Sequence, residues 1–587
     1  MHSTARQRKR MGVHYTPRLL AEFLAERIVH HLEPMQASRG LRILDPSCGD
    51  GALLEALLST MSARDRRCTF DVVGVETDPR AIARAESRLS ALDGARLTLV
   101  EGDFLDCAAA DPERHTLWEA PPPAPGLPGG FDAVIANPPY VRTQVLGAEQ
   151  ARRLAARYRL AGRVDLYHAF FVAVTGVVKP GGIMGILTSN RFLSTLTGRT
   201  LRGFLAEHHD LLEVIDLGDT KLFEAAVLPA ILVCRRRSGM GDRAKQRPRF
   251  TRIYADPDTA VEPARSARTA TSVIEALRCG KSGTYRTPAG VFRLTSGHLA
   301  LGPDPTQVWS LTSRDETAWL ERVREAAWGR FEDVASVRVG IKTTADEVFI
   351  RSDWDALPPE LRPEPELLHP LLTHEDACRW ARPVAQAPAA SILYPHRVVA
   401  GRRRPIELRD YPRAAAYLAR HKARLEGRKY VLEAGRRWYE IWVPQDPAGW
   451  TEPKVVFPDI SPEPRFYLDI DGHLVDGDCY WVTVRPGWPS RTLYLLMAIA
   501  NSSLARRYHD LAFNNKLYSS RRRYLTQYVT QYPLPDPASS LSERIIRIAE
   551  EMHREAAAGQ GRPDPARIRE LDNLVYGVFG LRAEEGR

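Results

Sequence analysis

An apolar strand that runs into a glycine turn and then a helix constrains this chain more than any other feature. Leu41-Arg42-Ile43-Leu44-Asp45 reads as a short buried strand, Pro46-Ser47-Cys48-Gly49-Asp50-Gly51 as the turn, and Ala52-Leu53-Leu54-Glu55-Ala56-Leu57-Leu58 as the helix. Such a unit forms the nucleotide-binding end of an α/β sheet, where glycines let the backbone approach a ligand closely. It is not the phosphate-cradling form, because neither GxGxxG nor GxxxxGK(S/T) is present. The next strand, Asp71-Val72-Val73-Gly74-Val75, ends in Glu76, whose carboxylate can accept hydrogen bonds from both hydroxyls of a ribose. A third, Arg96-Leu97-Thr98-Leu99-Val100, leads to Glu101-Gly102-Asp103-Phe104. There Asp103 is placed to bond an adenine amino group and Phe104 to pack on the ring.

The strand Phe131-Asp132-Ala133-Val134-Ile135-Ala136 ends in Asn137-Pro138-Pro139-Tyr140. That ending suits methylation of an amino nitrogen conjugated to a ring or carbonyl. Such a nitrogen is a poor nucleophile because its lone pair is delocalised. The Asn137 side-chain oxygen and the Pro138 carbonyl can each accept one N–H hydrogen bond, which draws the nitrogen toward tetrahedral geometry and frees the lone pair. Pro138 and Pro139 fix the backbone so that the carbonyl points into the site. Tyr140 can stack on a planar substrate. Asn-Pro is also ordinary turn chemistry, and the upstream strands are what separate the two readings.

With Tyr15-Thr16-Pro17, Asp165-Leu166-Tyr167 and Gly182-Ile183-Met184-Gly185-Ile186-Leu187-Thr188-Ser189-Asn190 added, the chain resembles the S-adenosylmethionine-dependent DNA adenine-N6 methyltransferases that carry a Taq-like C-terminal specificity domain. Cofactor motifs come first, the catalytic loop next and a long variable region last, the gamma order of that family. The resemblance implies an α/β fold: a Rossmann-like class I methyltransferase domain with a largely C-terminal α+β target-recognition domain. It implies S-adenosyl-L-methionine as cofactor, contacted by Thr16, Asp45, Pro46, Cys48, Gly49, Gly51, Glu76, Asp103 and Phe104. It implies catalytic roles for Asn137, Pro138, Pro139 and Tyr140. The target adenine lies inside the duplex, so the nucleotide must be flipped out. A second stacking face is expected from Phe223, between the strands Leu211–Leu217 and Val227–Val233.

The expected domains are an N-terminal helical segment over 1–36, opened by Thr16 as N-cap and Pro17 at the first helical position, and a catalytic domain over 37–240. A target-recognition domain follows over 251–535, then a helical segment over 536–587. Residues 108–130, rich in alanine and proline, read as a surface loop, and 238–250 as a polar, basic connector. Val337–Thr344 and Lys454–Pro458 read as strands of the recognition domain. At 587 residues the chain can bury more than one core. Its net charge is +10, and residues 1–240 contribute only +3 of it, from 30 Lys/Arg and 27 Asp/Glu. Three basic clusters lie in the remainder: Arg402-Arg403-Arg404, Arg436-Arg437 beside Trp438-Tyr439, and Arg521-Arg522-Arg523 beside Tyr524. They are candidates for contact with double-stranded DNA.

Other chemistries fail on specific grounds. No cysteine follows a proline, as a cytosine-C5 methyltransferase requires, and neither HExxH nor CxxC occurs, so no metal site and no disulfide is expected. The pairs His30-His31 and His208-His209 read as surface or capping histidines. A fused nuclease is not expected: Glu452-Pro453-Lys454 has the form of half its motif, but Pro458-Asp459 follows it instead of preceding it. The basic N-terminus lacks the apolar core of a secretory signal, and no apolar run spans a membrane, so a bacterial cytoplasm is expected. The expected state is a monomer, the modification enzyme alone, partnered with a separately encoded restriction endonuclease. Two alternatives stay open: an N-methyltransferase acting on RNA or a protein glutamine, and a non-catalytic DNA-binding subunit on the same scaffold.

Overall fold

The computed structural model describes residues 16–32, 40–92, 94–107, 130–139, 153–154, 156–158, 166–195, 197–222, 228–239, 247–256, 267–380, 388–399, 402–513, 517, 521–558 and 563–583. The chain divides into two compact units, one of residues 1–317 with 513–520, the other of 318–512 with 521–587.

The first unit is built on eleven strands: β1 (Leu41–Asp45), β2 (Phe70–Glu76), β3 (Ala95–Glu101), β4 (Phe131–Ala136), β5 (Val178–Ser189), β6 (His209–Asp216), β7 (Pro229–Arg236), β8 (Arg249–Ala255), β9 (Arg268–Thr269), β10 (Gly283–Thr287) and β11 (Gly290–His298). They form one sheet in the order β3-β2-β1-β4-β5-β7-β6-β8-β11-β10-β9. The five strands β3, β2, β1, β4 and β5 run parallel, and β7 enters antiparallel between β5 and β6. Strand order reverses direction at β1, with β2 on one side and β4 on the other. A crevice opens at the carboxyl ends of the strands at such a point, and ligands bind there in open α/β sheets.

The central strands β1, β2 and β4 are largely buried and apolar because both faces are covered. Ile43, Val72, Ala133 and Ile135 join one core, with Leu20, Phe23, Leu24 and Ile28 of helix α1 (Arg18–His31) and Leu54 and Leu57 of helix α2 (Ala52–Arg64). Leu44, Val73, Val134 and Ala136 join the other, with Phe170 and Phe171 of the helix Leu166–Val177. Residue-by-residue alternation along each strand thus feeds two layers. Helix α1 begins at Arg18, with Pro17 as its N-cap and no side-chain capping bond, one residue later than expected. Thr16 is therefore not a cap. Its hydroxyl is used elsewhere, as shown below.

The domain boundary expected at 240–251 is corrected. Arg249–Ala255 adds to β6 in parallel register, Glu213 opposite Arg249, and β11 pairs antiparallel with β8. The end of the expected connector, from Arg249, is thus already a strand of this sheet, and the division falls at 317/318. The signal was unreadable locally, because β6 and β8 find each other across the intervening β7.

The second unit holds two four-stranded sheets. One orders Ala335–Val339, Cys479–Val484, Lys454–Pro458 and Tyr467–Asp469, so both expected recognition-domain segments contribute strands to it. The helices Ser540–Ala557 and Pro565–Val578 belong to this unit, not to a separate segment. Lys454 has no solvent exposure. Its ammonium donates to Asp469, 2.6 Å away, and to the Trp450 carbonyl at 2.7 Å. It is a structural cation, which removes the nuclease reading of Glu452-Pro453-Lys454. Lys454→Ala leaves a buried Asp469 with, among the described residues, only His473 for an ion partner. Urea unfolding is expected to show a loss of about 3–5 kcal/mol, the cost of breaking one side of a buried pair.

Candidate active site at the carboxyl ends of the parallel strands

The turn after β1 is shaped by its glycines. Gly51 has φ +81° and precedes the first residue of α2. A Cβ there would sit 3.2 Å from the Ala85 backbone of helix α3 (Pro79–Leu89), so both the conformation and the helix contact exclude a side chain. Gly49 also has positive φ, +52°. Arg88 of α3 grips the turn through Asp50 and the helix through Glu55, each at 2.9 Å. The Cys48 amide donates to the Val75 carbonyl of β2 at 2.9 Å, and Pro46 and Cys48 are buried.

Asp45 ends β1 with no exposure. Its Oδ1 accepts the Ser47 amide at 3.0 Å, while Oδ2 is buried with no hydrogen-bond partner among the described residues. Burial, with Glu76 adding to it and the Ser47 amide opposing, pushes the carboxyl up to about 8. An orphaned buried acceptor at the crevice is a group awaiting a donor. Glu76 ends β2. Its Oε2 accepts the Gly49 amide at 3.0 Å, and its Oε1 accepts the Thr77 and Asp78 amides at 2.8 and 2.9 Å and the Thr77 hydroxyl at 3.1 Å. With three donors already on Oε1, only Oε2 keeps an open lone pair, so this conformation suits one ligand hydroxyl better than the two expected. Asp103 is exposed after β3, and its Oδ1 accepts the Leu105 amide at 2.9 Å. Phe104 is corrected: it is 1% exposed and stacks on Phe170, with ring centroids 5.8 Å apart. It is a core residue whose ring faces are not open to a ligand.

Asn137 follows β4. Its Nδ2 donates to Thr16 Oγ1 at 3.0 Å, which turns the amide oxygen away from Thr16. The Ser47 hydroxyl donates to the Asn137 carbonyl at 3.3 Å, linking the turn after β1 to the loop after β4. Pro138 is buried and Pro139 half-buried. Tyr140 and Phe223 lie outside the described residues. The base of the segment leading to Phe223 is described. Asn190 donates to Asp216 at 3.1 Å, and Tyr254 donates to Asp216 at 2.6 Å, all three buried. Burial and the adjacent Asp216 carboxylate hold the Tyr254 phenol well above its ordinary range. Gly218, φ +52°, would place a Cβ 2.2 Å from the Ile253 carbonyl.

Sequence reasoning passed over Ser47 and Asp216. Ser47 lies inside the quoted motif, and Asp216 repeats the pattern of Glu76, an acid closing an apolar strand. Of the histidines taken for surface groups, His209 is fully buried against the Thr175 hydroxyl, and His31 bonds Glu213 at 2.8 Å.

In the second unit the basic clusters separate. Arg402, Arg403 and Arg404 are exposed on a hairpin, and Arg521 is exposed. The others are corrected to structural roles. Arg436 donates to the Ile441 and Trp442 carbonyls, and Arg437 pairs with Glu407 at 2.7 Å. Arg522 is buried in a two-point pair with Asp510, and Arg523 grips Asp459. Each spends its guanidinium on the protein itself.

The strand order, with its reversal at β1, and the glycine turn after β1 are those of a class I S-adenosylmethionine-dependent methyltransferase. A family model described as the Eco57I restriction-modification methylase matches residues 72–223. Over 585 residues the chain is 39% identical to the Type II methyltransferase M.BanIII of Aneurinibacillus aneurinilyticus, covering 98% of each. It is 26% identical to M.PaeR7I of Pseudomonas aeruginosa, over 93% of this chain and 88% of that one. The cryo-EM structure of the DrdV–DNA complex has a similar fold, with a TM-score of 0.51 at 12% identity, over 94% of this chain and 58% of that one. The chain belongs to the Type II restriction-modification DNA methyltransferases. That membership sets aside the RNA- and protein-directed alternatives. No helix among the described residues is long and apolar enough to cross a membrane.

Asp45 yields a stability prediction. Its folded value, about 8, lies above the unfolded 3.8, so the folded state holds this proton more tightly. The stabilisation is full below pH 4 and is lost as pH rises through about 8. Asp45→Asn mimics the protonated form. In the cofactor-free protein it should match wild type below about pH 4 and exceed it increasingly up to pH 8, by on the order of 2–4 kcal/mol. Thermal unfolding across that range checks this, and parallel curves at all pH values would contradict it.

Proposed function

We propose that the protein methylates the N6 amino group of adenine at a specific sequence in duplex DNA, with the target nucleotide turned out of the helix. The observation that carries this reading is Asn137. It closes β4 beside the crevice, its amide is oriented by Thr16, and Pro138-Pro139 follow it. Asn137 Oδ1 and the Pro138 carbonyl accept the two N–H bonds of the amino group and free its lone pair for attack. Bound S-adenosylmethionine supplies the electrophilic methyl group. Asp45 Oδ2 and Glu76 Oε2 hold polar groups of that ligand, Gly49 and Gly51 allow its close approach, and Asp103 recognises its base. Tyr140 and Phe223 supply the aromatic faces for the extruded adenine. Thr16, expected to touch the cofactor, acts here through Asn137.

The protein serves as the modification component of a restriction-modification system. It works in the cytoplasm as a monomer, beside a separately encoded endonuclease.

The test expresses the protein in a bacterial host free of DNA methylation and sequences the genome for modified bases. N6-methyladenine in one recurrent context is expected. Methylation at another base, or none, would overturn the reading. Asn137→Ala should nearly abolish turnover while calorimetry shows cofactor binding close to wild type, since its bonds tighten only as the nitrogen is attacked. Thr16→Val removes only the orienting bond, so kcat should fall by roughly 10-fold, the equivalent of one hydrogen bond, with KM for the cofactor little changed. Glu76→Ala should instead weaken cofactor binding by about 1.5–3 kcal/mol. An unaltered Kd would remove Glu76 from the site.

A further inference from the structure

Residues 396–437 carry 13 Lys/Arg against 4 Asp/Glu, a net of +9 in a chain whose total is +10. The other 545 residues are close to neutral. This charge has an ordered centre, the antiparallel pair His396–Val399 and Arg402–Pro405. Arg397 stands opposite Arg404, Val398 opposite Arg403, and Val399 opposite Arg402. Side chains alternate across a ribbon, so Arg397, Val399, Arg402 and Arg404 share one face.

The opposite face and the base of the ribbon are anchored in the second unit. His396 is buried and its Nε2 accepts the Ile441 amide at 3.3 Å. The Arg403 guanidinium donates to the Gln445 carbonyl at 2.6 Å. Just past the ribbon Ile406 is fully buried, its carbonyl accepts the Tyr439 hydroxyl at 2.7 Å, and Glu407 is held by Arg437. The outer face is different. Exposure does not separate the faces, since Val398 (47%) and Arg403 on the other face are exposed as well as Val399 (45%); bonding does, for the exposed Arg397, Arg402 and Arg404 make no hydrogen bond or ion pair among the described residues. Like charges directly across a ribbon destabilise it. Folding alone gains nothing from Arg397 facing Arg404, whereas a polyanion would reverse the sign. Arg437, Arg522 and Arg523, by contrast, are all neutralised internally.

A two-stranded ribbon fits the major groove of B-form DNA, where an arginine fork recognises guanine O6 and N7 and an aliphatic side chain meets a thymine methyl. We propose that this hairpin is the sequence-reading element of the protein. Its outer face enters the major groove, with Arg402 and Arg404 bonding guanines and Val399 between strands of bases. Exposed Arg420, Lys422 and Lys429 of the same basic segment meet phosphates alongside. The inference rests on the DNA-methylation reading above and deepens it.

The test compares wild type with Arg402→Lys/Arg404→Lys and Arg402→Ala/Arg404→Ala. Genome sequencing in the methylation-free host defines the wild-type site. A duplex with that site and a scrambled duplex are the probes. Lysine keeps the charge and loses the bidentate fork. The lysine pair should therefore bind the scrambled duplex as wild type does, yet lose site preference by roughly 5- to 150-fold for each fork removed. Genomic methylation should spread to contexts altered at G·C positions. The alanine pair should lose the same preference and also bind the scrambled duplex more weakly. Unchanged S-adenosylmethionine binding and thermal midpoints confirm that both variants fold. If the lysine pair keeps full site preference, or if both variants bind both duplexes as wild type does, the hairpin is not the reader. Failure of wild type itself to methylate or prefer any duplex is a separate result, which would overturn the function and the inference with it.

Discussion

One hydrogen bond organises the catalytic unit: the Gly49 amide on Glu76 Oε2. It joins the turn after β1 to the end of β2, and it exists because the two strands are parallel and in register, Asp45 opposite Gly74. From that junction the other contacts follow. The Cys48 amide reaches the Val75 carbonyl, Ser47 reaches the Asn137 carbonyl after β4, and Asn137 reaches Thr16 ahead of α1. Three strand ends and the segment before a helix are thus drawn to one point by backbone-anchored bonds. A site built in this way is held by the sheet, and its polar groups need little reorganisation when a ligand arrives.

The same construction carries a cost. Asp45 is kept fully buried beside Glu76 with one oxygen unbonded among the described residues, which raises its proton affinity and penalises the ligand-free fold at neutral pH. Glu76 shows the opposite treatment, four protein donors on one carboxylate. Two acids at adjacent strand ends therefore play unlike parts. One is held rigid by four donors with a single acceptor site left open on Oε2, and the other has a whole oxygen left wanting a donor. Buried groups with unmet hydrogen-bonding capacity are where a binding site differs from a core.

The sequence made the strand ends legible and left their connections obscure. Asp45, Glu76, Asp103 and Asn137 each close an apolar run, a pattern contained in about six residues. Thr16 and Asn137 lie 121 positions apart, and no local pattern announces that one orients the other. Phe104 shows a different limit. Its place after Asp103 suggested a ligand face, but the helix Leu166–Val177 supplied Phe170 to stack on it. The boundary near residue 240 misled for the same reason, since a polar connector does not reveal that the strand after it will add to β6.

Arginine clusters are the sharpest case. In sequence, Arg402-Arg403-Arg404 and Arg521-Arg522-Arg523 are indistinguishable as basic triplets. What separates them is whether an acid arrives from elsewhere in the fold. Asp510 and Asp459 come to Arg522 and Arg523, and Glu407 comes to Arg437. Among the described residues none comes to Arg402 or Arg404, although Glu407 is three positions from Arg404 in the chain, because that glutamate is already bonded to Arg437. The internal pairing of one cluster thus preserves the open charge of its neighbour. Net charge located the basic half of the protein, but only the distribution of carboxylates shows which positive charge is left for a partner outside it.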